Sequence, residues 1–351
     1  MISVSGLARG LVFAMTILAV AGAVGAATHA TWPTDWNNWN DPALWATVGN
    51  PGNVADTRYA SPGYGAVAYT YNMGKYEVTA GQYTAFLNAV AKTDAYALYN
   101  TYMDAAVNSY GCNIKRSGSP GSYAYSVASD YANRPVNYIS WGDAARFANW
   151  LTHGQPSGTQ NLNTTEDGSY YLNGAISDAA LLAVVRKSPA QGGRYYIPTE
   201  DEWYKAAYYG GVTGNYWDYP TGTNAVPGRD MSDLTNPGNN VNYYGTTFPI
   251  DSGTHYTTVA GEFQLSDSAY GTFDQGGNLW EWNEAVIGAY RGVRGGGFYS
   301  DNGQLNAADR ASAIGDFPMG HDIGFRVSEV PEPATLALLA VGGLLALRRR
   351  R

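Results

Sequence analysis

Three times in this chain a hydroxyl residue is followed, three positions later, by Gln, Asp or Glu, and then by apolar residues at helical spacing. Thr79 with Gln82, Ser140 with Asp143 and Thr199 with Glu202 are the three pairs. In each, the hydroxyl can accept from a free N–H of the first turn while the second side chain reaches back to the cap. Tyr83, Phe86, Leu87 and Val90 follow the first pair as one buried stripe. Ala144, Phe147, Ala148 and Leu151 follow the second, and Trp203, Ala206 and Ala207 the third. Gly210-Gly211 stands where the third helix can terminate. Residues 31 to about 70 have no helical period and read as leading strands and loops. Gly214 to Gly271 is equally aperiodic, but its recurring aromatics can anchor loops, so it is not disordered low-complexity sequence. The chain is thus restricted to a few short helices set in long loops. Its 43 Gly and 29 Tyr against 14% charged residues agree, since a helical bundle would need more Leu, Glu and Lys. No repeat or internal linker interrupts it, and one domain over 31–330 is the economical reading.

Both ends read as targeting sequence. Arg9 precedes the apolar run Leu11 to Ala27, which ends in small residues, so 1–27 is expected to be a cleaved secretory signal, with cleavage as late as 30. At the other end Pro331-Glu332-Pro333 precedes fourteen apolar or small residues, Ala334 to Leu347, and then Arg348 to Arg351. Fourteen residues are marginal for crossing about 30 Å of hydrocarbon, and the arginines would stay on the cytoplasmic side. This arrangement over 331–351 resembles the PEP-CTERM sorting signal of Gram-negative bacteria. The resemblance implies a transient inner-membrane anchor, removed by an exosortase-type protease, and a mature protein in the envelope or outside the cell.

Charge and cysteine content narrow the function. The net charge of −8 becomes −12 when both end segments leave, because five arginines and one glutamate go with them. Such a surface repels phosphates and argues against nucleic acid, while remaining compatible with calcium or neutral sugars. Cys112 is the sole cysteine, so no intrachain disulfide can form, and it reads as a structural thiol. His29, His153, His255 and His321 show no metal-ligand spacing.

Six blocks then occur in a defined order: 73–79 (MGKYEVT), 134–141 (RPVNYISW), 195–203 (YYIPTEDEW), 270–282 (YGTFDQGGNLWEW), 294–297 (RGGG) and 324–327 (GFRV). Together, over residues 67–328, they resemble the formylglycine-generating enzyme, or sulfatase-modifying-factor, family. The resemblance implies an α+β, C-type-lectin-like fold, loop-rich and low in regular secondary structure. The family's enzymes oxidise a substrate cysteine with copper held by two thiolates, ligands that soft Cu(I) prefers. Here the corresponding positions are Ser300 and Leu305, so copper is not expected and no catalytic residue is assigned. A related branch uses iron held by His in a separate helical domain, which this chain lacks. The family's calcium loop maps onto Asp274, the carbonyls of Gly277 and Leu279, and Glu281, hard oxygen donors suited to a structural Ca²⁺; pairing of Glu281 with an arginine is the alternative. A second calcium site maps onto Asn240 and the carbonyl of Val241, with later ligands near Thr254 and Tyr256, where the family's Asp is replaced.

Two classes of function follow. The first is a binding module that displays Phe298, Tyr299, Ser300, Asp301, Asn302, Gln304 and Asn306 to a surface polysaccharide or matrix protein, with aromatic faces and adaptable hydrogen-bonding edges. Related variable proteins diversified by retroelements use this part of the fold for ligand display. The second is an enzyme, either a residual formylglycine-generating-type oxidase or one with relocated chemistry, for which Asp301, Asp309 and Arg310 are the candidate polar cluster.

Overall fold

The computed structural model describes residues 33 and 35–331, apart from 236, 252–254 and 314–319. The expected signal segment, His29, Thr254, Glu332, Pro333 and the apolar tail lie outside the described residues. Strand β1 (Trp45–Val48) is followed by β2 (Tyr71–Gly74) and helix α1 (Ala80–Val90). A hairpin of β3 (Ile114–Ser117) and β4 (Ala124–Val127) precedes α2 (Trp141–Thr152). Next come the short α3 (Asp178–Leu182), β5 (Tyr195–Tyr196) and α4 (Glu200–Tyr208). Apart from one 3-10 turn and isolated bridges, the described residues of 209–279 form no helix or strand. The chain closes with β6 (Trp280–Ile287), β7 (Tyr290–Arg294), β8 (Ala311–Ala313), β9 (Ile323–Gly324) and β10 (Ser328–Glu329).

All three expected helix starts are present, each with both reciprocal hydrogen bonds. The Thr79 hydroxyl accepts from the Gln82 N–H at 3.2 Å, and Gln82 Oε1 accepts from the Thr79 N–H at 2.8 Å. Ser140 with Asp143 and Thr199 with Glu202 repeat the pattern. The stripe on α1 is buried as its period predicts. Helix α2 differs: every residue from Trp141 to Leu151 is buried, polar ones included. It lies between α1 and β5, and its inward polar groups are matched, Arg146 by Glu166 at 2.7 Å and Asn149 by the carbonyls of Thr165 and Tyr170. The apolar period of α2 marks one face only; its other faces are enclosed because these polar groups find buried partners. The Gly210-Gly211 expectation fails in detail. Helix α4 stops at Tyr208 because Tyr209 is extended, and the glycines belong to the turn that follows.

Two four-stranded sheets flank this centre. One runs β1-β2-β10-β5 and is antiparallel throughout; the other runs β8-β7-β6-β9, with β6 and β9 parallel. The main core lies between them and α1 and α2, and it is unusually aromatic. Phe147 alone packs its ring against Trp39, Tyr83, Phe86, Trp150 and Phe325.

Two expectations follow. Thr79→Ala should cost about 1 kcal/mol through the lost cap, read from urea unfolding. Burial pushes the Asp143 carboxyl from its ordinary 3.8 up to about 7, against the opposing bonds from Ser140. A raised carboxyl contributes stability below its unfolded pKa and loses it as pH rises through the folded one. Asp143→Asn should therefore gain stability relative to the parent between about pH 4 and pH 7, with a constant difference above that.

Candidate ligand-binding surface

The site region is built on a buried charge centre. Glu281 on β6 and Arg326, two residues beyond β9, are both fully buried and joined at 2.6 Å. Arg326 Nε and Nη2 each donate to one Glu281 oxygen, and the remaining N–H groups reach the carbonyls of Gly74, Lys75 and Phe273. Trp203 Nε1 donates to Glu281 as well, at 2.8 Å. Glu77 is enclosed beside this pair and accepts from Asn278 Nδ2 and the Leu279 N–H. Burial, followed by the charges of Asp274 and Glu281, holds the Glu77 carboxyl well above its ordinary range. Burial likewise raises Asp274 to about 6.

From this base the chain turns out to the surface. Gly295 and Gly296 have φ of +96° and +70°, and a Cβ on Gly295 would lie 2.5 Å from the Gln275 carbonyl, so glycine is required at this exit. Arg294 pairs with Glu200 at 2.8 Å and donates to the carbonyls of Ala307 and Asp309, which clamps the far end of the loop. Between these anchors the expected ligand loop splits into two sets. Phe298 and Ser300 point inward: Phe298 is fully buried, and the Ser300 hydroxyl accepts from the Gly297 N–H at 2.9 Å. Tyr299, Asp301 and Asn302 are exposed, and Gln304 and Asn306 are half-buried. Gln304 Oε1 accepts from the Asp301 N–H, and Asn306 Oδ1 from the Ala308 N–H, so both hold the loop.

Around buried Phe298 gather Tyr110, Phe248, Tyr256 and His321. Tyr244 and Tyr299, 50% and 47% exposed, stack on the outside with centroids 5.7 Å apart and planes inclined at 28°. Beside this pair lies a cleft of about 580 Å³ lined by Arg229, Asp230, Tyr244, Thr247, Asp301 and Asn302, among others. Arg229 is held by the Thr247 carbonyl at 2.7 Å and packs over the Tyr243 ring. Sequence reading missed Arg229, Tyr244 and Phe248. The recurring aromatics of 214–271 were the available signal, but not which loop they would meet.

The remaining expected sites are rearranged. The copper-thiolate positions hold the buried Ser300 and a core Leu305 packed with Tyr219, Val241 and Tyr243. In the first calcium set, Asp274 accepts from the Gly261 N–H at 2.6 Å, and Gly277 donates to the Gly295 carbonyl. Leu279 leads straight into β6. Glu281 has both oxygens turned to the Arg326 guanidinium, the pairing with an arginine that the sequence left as the alternative. Among the described residues no three His, Cys, Asp or Glu side chains come together to hold a metal. Asn240 is consumed by loop bonds to the Asp230 N–H and Asp233, and Val241 packs in a small apolar cluster. Tyr256 offers its carbonyl to Asn242 Nδ2, and Asn242 Oδ1 is the buried acceptor here without a hydrogen-bond partner. Of the Asp301, Asp309 and Arg310 cluster, Arg310 pairs with Glu200 at 2.7 Å and Asp301 caps Gly303, while burial, with the charge of Asp301 adding to it, raises the Asp309 carboxyl. Cys112 is buried, with its thiol pushed up to about 11 by desolvation.

Removing one partner of a buried pair strands the other charge. Arg326→Ala should therefore cost about 3–5 kcal/mol in urea unfolding. Arg194→Ala, which breaks the exposed pair with Glu329, should stay within about 1 kcal/mol.

Residues 48–330 match the family described as Sulfatase-modifying factor enzyme 1-like domain, and residues 329–351 match the PEP-CTERM protein-sorting motif. No curated protein matches the chain. Among solved structures, the crystal structure of CarF is similar over 82% of this chain and 98% of that one, at 20% identity and a TM-score of 0.49. Treponema denticola variable protein 1 is similar over 82% and 95%, at 17% identity and 0.46. PvdO from Pseudomonas aeruginosa is similar over 82% and 92%, at 17% identity and 0.44. The sorting motif indicates an exported protein of a Gram-negative envelope, recognised by exosortase-type machinery. The chain belongs to the sulfatase-modifying-factor family, with its loop-rich, C-type-lectin-like α+β fold, and it carries a PEP-CTERM sorting motif at its C-terminus.

Proposed function

We propose that the exported protein is a non-catalytic glycan-binding module whose ligand lies across Tyr244 and Tyr299 and into the adjoining cleft. The observation that carries this reading is the exposed, stacked tyrosine pair beside a polar cleft edged by Asp301, Asn302, Arg229 and Thr247. A sugar ring offers apolar C–H faces and a rim of hydroxyls. Flat aromatic faces suit the former, and carboxylate, amide and guanidinium groups suit the latter. Tyrosine supplies this contact area with little side-chain freedom to lose, and the Phe298 cluster beneath holds it in place. The absence of thiols at 300 and 305 supports the non-catalytic part of the reading, because the family's copper chemistry depends on them.

Calorimetric titration with oligosaccharides from the producing organism's own surface polysaccharide tests it. Tyr299→Ala and Tyr244→Ala should each weaken binding about tenfold or more, worth about 1.4 kcal/mol, with the unfolding midpoint nearly unchanged since both rings are half exposed. Equal affinity in the parent and the double variant would overturn the site. A second assay addresses catalysis directly: conversion of a cysteine peptide to formylglycine in the presence of copper, followed by mass spectrometry, would sink the non-catalytic assignment.

A further inference from the structure

The cleft beside the stacked tyrosines holds a cation without a counter-charge. Of the N–H groups of Arg229, one on each terminal nitrogen donates to Thr247, and the buried Nε has no hydrogen-bond partner. Among the described residues no carboxylate forms an ion pair with it, whereas Arg186 and Arg310, for example, are both paired. Its seat is nevertheless shaped to it. A Cβ on Gly245 would lie 2.5 Å from Nη1, and the guanidinium carbon sits 5.5 Å from the centroid of the Tyr243 ring. The guanidinium is thus held in the cleft wall with donors left over, since the group carries more N–H than Thr247 can accept.

The same wall carries two exposed carboxylates, Asp230 and Asp301. Each gives one oxygen to its own turn. Asp230 Oδ1 accepts from the N–H and the hydroxyl of Ser232, and Asp301 Oδ1 from the Gly303 N–H. The second oxygen of each remains an acceptor. A ligand carboxylate drawn to Arg229 would meet these two like charges, and a ligand ammonium drawn to them would meet the guanidinium. A secondary amide avoids both conflicts. Its carbonyl accepts from a guanidinium, its N–H donates to a carboxylate, and it carries no charge of its own. Among sugars the group occurs as an acetamido substituent, whose methyl suits the neighbouring face of Tyr244. We infer that the cleft selects an N-acetylated amino sugar, with the acetamido carbonyl on Arg229 and its N–H on Asp301, two residues beyond Tyr299. This rests on the glycan reading and names the sugar class within it. A neutral ligand also agrees with the acidic surface of the chain, which disfavours a polyanion.

Four β-1,4-linked tetrasaccharides of one backbone separate the chemistries: the N-acetylglucosamine, glucosamine, glucose and glucuronate forms. In calorimetric titration of the full chain, the N-acetylated form should bind at least tenfold more tightly than each of the others. Arg229→Gln should erase most of that advantage, and Arg229→Lys, which keeps the charge but loses the planar fork, should recover only part of it. Asp301→Asn should narrow the gap to the glucuronate form, because one of the two like charges is gone. Tighter binding of the glucosamine or glucuronate form, equal affinity for all four, or an advantage that survives in Arg229→Gln would each overturn the inference. If Tyr299→Ala still weakens binding in those cases, the glycan site stands and only the acetamido assignment falls. Failure of all four to bind would also overturn this inference, while titration with the native polysaccharide decides the glycan reading separately.

Discussion

A guanidinium has five N–H donors, and in the interior every one must find an acceptor or leave a buried polar group unpaired. Arg326 meets that condition by reaching three separate parts of the chain: Glu281 twice, the adjoining carbonyls of Gly74 and Lys75, and the carbonyl of Phe273. The end of one sheet, the edge of the aperiodic region and the first strand of the other sheet are thereby fixed to a single planar group. Trp203 adds α4 through its bond to Glu281. Such an arrangement has few near alternatives, because moving any one segment strands a charge in a low-dielectric site. Long loops can be rigid here because their ends are tied to this centre, without a disulfide and with little regular structure.

The same centre explains what the tyrosine surface rests on. β6 leads to β7, β7 ends at Arg294, and two left-handed glycines send the loop outward. Arg294 returns to Glu200 at the start of α4, so the displayed loop is pinned at both ends to the elements that Glu281 and Trp203 join. Within it, Phe298 is driven into the aromatic cluster and Tyr299 is left outside. The loop thus presents side chains without its backbone being free to move.

Local devices in the sequence were legible because their physics is local. The three capping pairs span four residues each and form as read. The enclosure of α2 was hidden, since Arg146 and Asn149 look solvent-facing until Glu166 and the Thr165 and Tyr170 carbonyls are seen to meet them. The two-residue strands β5, β9 and β10 exist through pairing with distant segments and have no pattern of their own. The family blocks located the surface loop but not its orientation. Neighbouring residues in an irregular loop have no fixed period, so Phe298 and Tyr299 cannot be sorted into inside and outside without Tyr110, Phe248 and Tyr256. The arginine partner of Glu281 lies 45 positions away, so the sequence left that pairing as an alternative to an ion without naming Arg326.

Strand β10 comes last in the sequence yet stands inside its sheet, between β2 and β5, and the sorting motif begins as it ends. A chain that folds from its N-terminus receives this strand, and Arg326 just before it, only after the other nine described strands. Until then β2 and β5 have no strand between them and Glu281 has no counter-charge. Completion of the fold and arrival of the sorting tail are therefore almost the same event. A chain that stops before β10 would carry neither a closed sheet nor the sorting motif, so one short segment decides both.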